Sequence, residues 1–241
     1  MSDLSRVLVP PVGAWQQASV TDIRVETPRV KTFSLRLPTP TAHLAGQHFV
    51  VRLSAPDGYT AQRSYSVASP PGDGWSIDLT VERLTDGEVS TFLHDELQVG
   101  DTLELRGPIG GWFVWDGSTP ALLIGGGSGV VPLMAMLRLA RQQPQQSLAH
   151  LLVSAREPTD LIYAGELTGD DATVLFTRAA LPNSVRVPGR ITADDLRPHV
   201  RSDATVYVCG SAGFAATASE LAMESGFDSS AIRVERFGPS G

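Results

Sequence analysis

Residues 119–133 read Thr-Pro-Ala-Leu-Leu-Ile-Gly-Gly-Gly-Ser-Gly-Val-Val-Pro-Leu. Ala121–Ile124 is a short apolar run, the pattern of a parallel strand covered on both faces. Glycines at 125, 126, 127 and 129 then permit a tight turn and close approach of a ligand to the backbone. Pro132 falls where a first helical turn tolerates proline, because its missing N–H would be unpaired there. Helix-forming residues continue from Leu133 to Arg141. Strand, glycine turn and helix start together make an anion site, since free N–H groups and the positive end of the helix dipole converge on it. No Gly-Lys-Ser/Thr follows, which excludes the mononucleotide phosphate loop. The spacing is Gly127-x-Gly129-x-x-Pro132, with proline where the usual dinucleotide fingerprint has a third glycine. Read without context, the same glycines are also an ordinary turn at a sheet edge.

Downstream of this stretch the rhythm is strand–helix–strand. Strands are expected at Ala121–Ile124, Ala149–Ser154, Thr173–Thr177, Thr205–Cys209 and Ile232–Phe237. Helices are expected at Val131–Arg141, Asp160–Leu167, Ala193–Leu196 and Phe214–Glu224. That alternation predicts a five-stranded parallel α/β sheet covered on both faces. Upstream, short runs at Ser19–Glu26, Lys31–Leu37, His48–Leu53, Ser64–Ser69, Trp75–Arg83 and Asp101–Arg106 are separated by turn signals such as Asp57-Gly58 and Asp86-Gly87. With one helix expected at Ser90–Leu97, they predict an antiparallel β-barrel. The domain reading is an arm at 1–14, a barrel at 15–116 and the α/β unit at 117–241. Trp112 and Phe113, near the junction, are expected to pack between the two.

Composition narrows the function. The chain has 241 residues and a net charge of −7, which argues against a nucleic-acid partner. Eighteen arginines stand against a single lysine, a genome bias. One cysteine, Cys209, excludes an internal disulfide, a cysteine-ligated cluster within the chain and any multi-cysteine zinc site; no metal site is expected. The start Met-Ser-Asp shows no secretory leader and no run reads as a membrane helix, so a cytoplasmic monomer is expected.

Four separated motifs carry the chemistry. They are Arg63-Ser64-Tyr65-Ser66, then Thr80-Val81-Glu82-Arg83 with Gly87-Glu88-Val89-Ser90-Thr91, then the glycine turn, then Val208-Cys209-Gly210-Ser211. Their order resembles the ferredoxin–NADP reductase superfamily of flavoproteins, over nearly the whole chain. The resemblance implies a Greek-key FAD-binding barrel followed by an NAD(P)-binding domain, in a reductase with no fused iron–sulfur domain. It implies that Arg63 pairs with the FAD pyrophosphate, that Ser64 and Tyr65 line the flavin, and that Ser66 bonds near flavin N5. It further implies that Thr80, Val81, Glu82, Gly87, Val89, Ser90 and Thr91 hold the second side of that pyrophosphate. Glu88 departs from the pattern, because a carboxylate beside phosphate is unfavourable.

Gly127, Gly129 and Pro132 are implied for the NAD(P) pyrophosphate, with Cys209 and Gly210 beside the nicotinamide. Phe237 is implied to cover the flavin ring and Glu235 to stand near Cys209 and Ser66. Ser154, Arg156, Arg178 and Arg190 fall where NADP-dependent relatives bind the 2′-phosphate, so NADP is expected, with NAD as the alternative. The implied activity is hydride transfer from NADPH to FAD, then electron transfer to a separate ferredoxin or oxygenase component. The competing readings are direct reduction of free flavin, ferric chelates or oxygen, and a non-catalytic flavin or nucleotide subunit.

Overall fold

The computed structural model describes residues 12–143, 148–180 and 186–238. Most of the expected arm, and residues 239–241, lie outside the described residues. Six strands form the first sheet: β1 (Gln16–Thr27), β2 (Val30–Arg36), β3 (His48–Ser54), β4 (Thr60–Ser66), β5 (Ser76–Glu82) and β6 (Thr102–Ile109). Their order is β4-β3-β6-β1-β2-β5, with every pairing antiparallel. A bridge between Val67 and Leu79 joins the two outer strands, so the sheet closes as a Greek-key barrel.

The period of two decides what fills it. Phe33 and Leu35 of β2 and Ile77, Leu79 and Val81 of β5 point inward. Helix α1 (Glu88–Asp95) packs Val89 and Leu93 into the same core. Thr32 and Thr80 belong to the opposite register and point out of the barrel, yet both are buried. The second half of the chain covers them.

That half is a parallel sheet of β7 (Ala121–Gly126), β8 (Ala149–Ala155), β9 (Ala172–Phe176), β10 (Thr205–Ser211) and β11 (Ile232–Phe237), in the order β11-β10-β7-β8-β9. Helices α2 (Val130–Gln142), α3 (Ala193–Leu196) and α4 (Ala212–Ser225) cover it. Alternation again sorts the side chains. Leu122, Ile124, Val206 and Val208 pack with Ala215, Ala218 and Ala222 of α4. Leu123, Tyr207 and Cys209 point to the other face, where α2 and the barrel residues Val30, Ala45 and Ala68 complete one core. The two halves thus share a hydrophobic cluster.

Two expectations fail here. Asp160–Leu167 is not a helix: 3-10 turns at Pro158–Asp160 and Ala164–Glu166 flank Tyr163, whose φ is +61°. Leu161, Ile162 and Tyr163 are buried in succession, which a single helix face cannot achieve. Burial against the barrel outweighs local propensity. Trp112 does not pack between the halves either. It is 65% exposed, with Arg233 over its ring, while Phe113 is buried edge-on against Tyr207.

Candidate functional site

The strand order reverses between β7 and β10: from β7 the chain winds one way to β8 and β9, and from β10 the other way to β11. In doubly wound sheets the crevice beyond the carboxyl ends at that point binds ligand. Two turns meet there. One is the 3-10 turn Gly127–Gly129, leading into α2, whose amino end has no side-chain cap. The other is Cys209–Ser211, where Ser211 caps α4 by accepting from the Phe214 N–H at 3.3 Å. The contact between them is close. A Cβ on Gly129 would lie 2.3 Å from the Cys209 carbonyl oxygen, so only glycine fits. Gly127 has φ +56° and open space around it, leaving its backbone accessible. Pro132 sits buried in the first turn of α2, as its missing N–H allows.

Cys209, Glu235 and Phe237 share one face. Cys209 pairs in register with Glu235 of β11, and Ser211 with Phe237. The period of two places Arg233, Glu235 and Phe237 on the side facing the barrel, where Phe237 packs against the shared core. The Cys209 thiol is fully buried, and burial, reinforced by the Glu235 carboxylate, pushes its pKa well up. Burial raises the Glu235 carboxyl to about 7, and its Oε2 is buried with no hydrogen-bond partner among the described residues. A buried polar atom without a protein partner is one that a bound ligand can satisfy.

On the barrel, Arg63 and Ser64 are exposed, Tyr65 is half-buried and Ser66 is buried, in succession along β4. Burial raises the Tyr65 phenol, so it stays neutral. Ala68, two residues beyond Ser66, belongs to the same cluster as Cys209, which draws this strand end toward the switch point. The Arg63 guanidinium donates to the neighbouring Gln62 carbonyl at 2.7 Å.

Helix α1 begins at Glu88 with Gly87 as its cap, two residues before the start expected at Ser90. The Ser90 hydroxyl is therefore no cap: it donates to the Gly87 carbonyl at 3.0 Å and accepts the Leu84 N–H at 3.2 Å, shaping the loop. The Thr91 N–H is spent inside the helix on Gly87. Val89 is core. Glu88 accepts the Tyr59 hydroxyl at 2.9 Å, which gives its carboxylate a partner. Val81 is buried and its carbonyl is bonded to His94, while Glu82 is half-buried at the strand end. Thr80 does not offer its hydroxyl to a ligand: Tyr163 and Thr32 take it.

Arg24, Arg52, Arg83, Arg138, Arg141, Arg186, Arg197 and Arg201 all pair with carboxylates. Arg156, Arg178 and Arg190 are exposed and, like Arg29, Arg36, Arg63, Arg106, Arg233 and Arg236, have no carboxylate partner among the described residues. The Arg178 N–H donates to the Arg156 carbonyl at 3.0 Å, and Gly189 to Phe176 at 3.1 Å, so all three gather near the carboxyl ends of β8 and β9. Ser154, half-buried in β8, pairs with Gly126 at the start of the glycine turn.

These features fit a dinucleotide on the sheet and a second diphosphate ligand on the barrel. The comparisons agree. The family model described as an oxidoreductase FAD-binding domain matches residues 17–114, and that of an oxidoreductase NAD-binding domain matches 123–220. The chain thus carries an oxidoreductase FAD-binding domain followed by an oxidoreductase NAD-binding domain, the pair typical of the ferredoxin–NADP reductase superfamily.

Among its relatives is the glycine betaine monooxygenase reductase subunit of Chromohalobacter salexigens, 38% identical over 145 residues, covering 59% of this chain and 39% of the relative. The FAD/NAD-binding domain of nitric oxide dioxygenase from Vibrio cholerae superposes with a TM-score of 0.80 at 25% identity, covering 93% and 99% of the two chains. A ferredoxin NADP+ reductase from Neisseria gonorrhoeae with bound FAD and NADP gives 0.77 at 21%, covering 92% and 98%, and so shares the fold. The chain spans 39% to 62% of the length of curated relatives such as the glycine betaine monooxygenase reductase subunits and a flavohemoprotein. No helix among the described residues is long and apolar enough to cross a membrane.

Proposed function

We propose that this chain oxidises NADPH through bound FAD and passes the electrons to a separate protein, a ferredoxin or an oxygenase component. The observation that carries the reading is the switch-point crevice, where an uncapped glycine turn meets Cys209 and an unpartnered carboxyl on the barrel-facing side. When bound, the flavin supplies the two-electron-to-one-electron conversion that nicotinamide lacks. The protein binds, orients and excludes water.

Arg63, exposed and bonded through one guanidinium nitrogen to the adjacent Gln62 carbonyl, turns its guanidinium to the FAD diphosphate. The start of α1 adds a positive dipole end, with Glu88 held aside by Tyr59. Ser64, Tyr65 and Ser66 line the flavin from β4, and Phe237 faces it from β11. The turn Gly127–Gly129 and the start of α2 take the nicotinamide dinucleotide diphosphate, and Gly210 lets its nicotinamide end approach. Cys209, neutral and sealed, packs rather than attacks. Glu235, titrating near neutrality, holds a proton beside it. Arg156, Arg178 and Arg190, with Ser154, recognise the 2′-phosphate.

An acceptor on another chain is supported by relatives that are reductase subunits of oxygenase systems. The test is spectroscopic. The purified protein is yellow, and anaerobic NADPH bleaches the flavin band in a single turnover. A colourless FAD-saturated protein, or a band that NADPH leaves intact, overturns the reading.

A further inference from the structure

Between the two halves lies a polar path that touches neither ligand crevice. The Tyr163 hydroxyl donates to Thr80 Oγ1 at 2.6 Å. Thr80 lies opposite Thr32 in the β2–β5 ladder, with their hydroxyls 2.8 Å apart. Thr32 donates to Glu26 Oε1 at 2.7 Å. Only one donor order satisfies every group: Tyr163 to Thr80, Thr80 to Thr32, Thr32 to Glu26. The carboxylate at the far end sets that polarity, and aligned hydroxyls strengthen one another in a low-dielectric interface.

A second tie runs beside it. Arg138 stacks over the Tyr163 ring at 4.7 Å and donates to the Ala68 carbonyl at 2.7 Å and to Glu166 at 3.0 Å. Its helix, α2, is the one that opens with the Gly127–Gly129 turn. Ala68 lies two residues beyond Ser66, and Thr80 lies on β5 beside the loop to α1. The shared core itself is apolar and non-directional, so it resists separation more than sliding; the other directional ties run from β10 and β11, where Tyr207 donates to the Val114 carbonyl at 2.8 Å and Arg233 to the Trp112 and Val114 carbonyls at 3.2 and 2.9 Å. Hydrogen bonds, which demand direction, fix the register.

We propose that Tyr163 is a positioning residue: its bond to Thr80, reinforced by Arg138, sets how the nicotinamide-bearing half is placed against the flavin-bearing half. The proposal rests on the functional reading above. Its backbone supports it, because a tyrosine at φ +61° persists only where surrounding contacts hold it. The mechanism is distance. Hydride transfer needs its two partners in contact, and a small misplacement from afar slows the step without weakening either ligand's own site.

The test uses the flavin-loaded full chain and the variants Tyr163→Phe, Thr80→Val and Thr80→Ser. Tyr163→Phe removes one oxygen and folds. It is expected to slow single-turnover flavin bleaching by about tenfold, with FAD content and the dissociation constant for NADPH unchanged. Thr80→Val behaves alike, Thr80→Ser restores the rate, and the double variant Tyr163→Phe/Thr80→Val is no slower than either single one. Without added nucleotide, amide exchange in residues 161–167 rises in Tyr163→Phe and Thr80→Val but not in Thr80→Ser. A Tyr163→Phe protein with wild-type exchange, additive losses in the double variant, or a Thr80→Ser protein as impaired as Thr80→Val each overturns the proposal. If the wild-type flavin fails to bleach, the functional reading falls, and the exchange measurements alone decide whether the tie exists.

Discussion

At the scale of single residues, charge decides most outcomes. Burial holds the Glu235 carboxyl at about 7 in the folded chain, against 4.5 when exposed. Between those values the unfolded chain has released a proton that the native state keeps, so stability falls as pH rises from about 4.5 to 7 and stays lowered above that. Glu235→Gln removes the ionisation. Its melting temperature should equal or trail the wild type's near pH 4.5 and exceed it above pH 7, as scans across that range will show. The arginines make a second prediction. Each charge-assisted contact to a phosphate is worth about 1.5–3 kcal/mol, or at least about tenfold in binding. Arg156→Glu combined with Arg178→Glu should raise the KM for NADPH far more than that for NADH. An equal effect on both in steady-state assays removes these residues from the 2′-phosphate site.

At the scale of elements, the meeting of two turns is the most demanding contact. On Gly129 an added methyl group collides with the backbone of β10, which cannot swing aside. Gly127→Ala meets nothing and suffers only its left-handed backbone, a cost of about 1 kcal/mol. Gly129→Ala should therefore lower the melting temperature far more than Gly127→Ala in parallel thermal denaturation. The sequence made this element legible because turn, strand and helix all obeyed local rules: four glycines, an apolar run and a tolerated proline. The barrel strands were legible by alternation, with ends shifted by a few residues. The segment 160–167 was not, because Tyr163 takes its conformation from Thr80, 83 residues away, which no local pattern encodes. The three consecutive apolar residues Leu161, Ile162 and Tyr163 were the one available warning. The Ser90 role was misplaced because Gly87, a weaker cap than serine, starts the helix once Ser90 is committed to the preceding loop.

At the scale of the whole molecule, the two edges of the parallel sheet differ in character. The carboxyl edge carries the glycine turn and three exposed arginines without a carboxylate partner among the described residues. The amino edge opens a cavity of about 950 Å³ lined by His150, His199, Asp171 and Arg141. His150 and His199 stack there with ring centroids 3.9 Å apart, and His150 bonds to Thr173 at 2.9 Å. Burial first, then the neighbouring His199, pushes His150 down to about 4. The unfolded chain takes up the proton sooner, so this contribution is intact above about pH 6.5 and lost as pH falls toward 4. His150→Asn should flatten that part of the acid melting profile. An unchanged slope between pH 6.5 and 4 would show that the stack is protonated without cost. Most of the molecule was readable at this scale, since four motifs in order define both halves, whereas the bonding between the halves was not. Hydroxyls that leave a barrel's outer face look like solvent-facing residues until a second body covers them.

The sealed thiol at the switch point has a practical use. An alkylating reagent can reach Cys209 only when β10 parts from its neighbours, and the chain contains no other sulfhydryl to obscure the signal. The modification rate in the folded protein is therefore a built-in clock for opening of that crevice, needing no engineered label. Saturating dinucleotide should stop it, if occupancy and closure are one event.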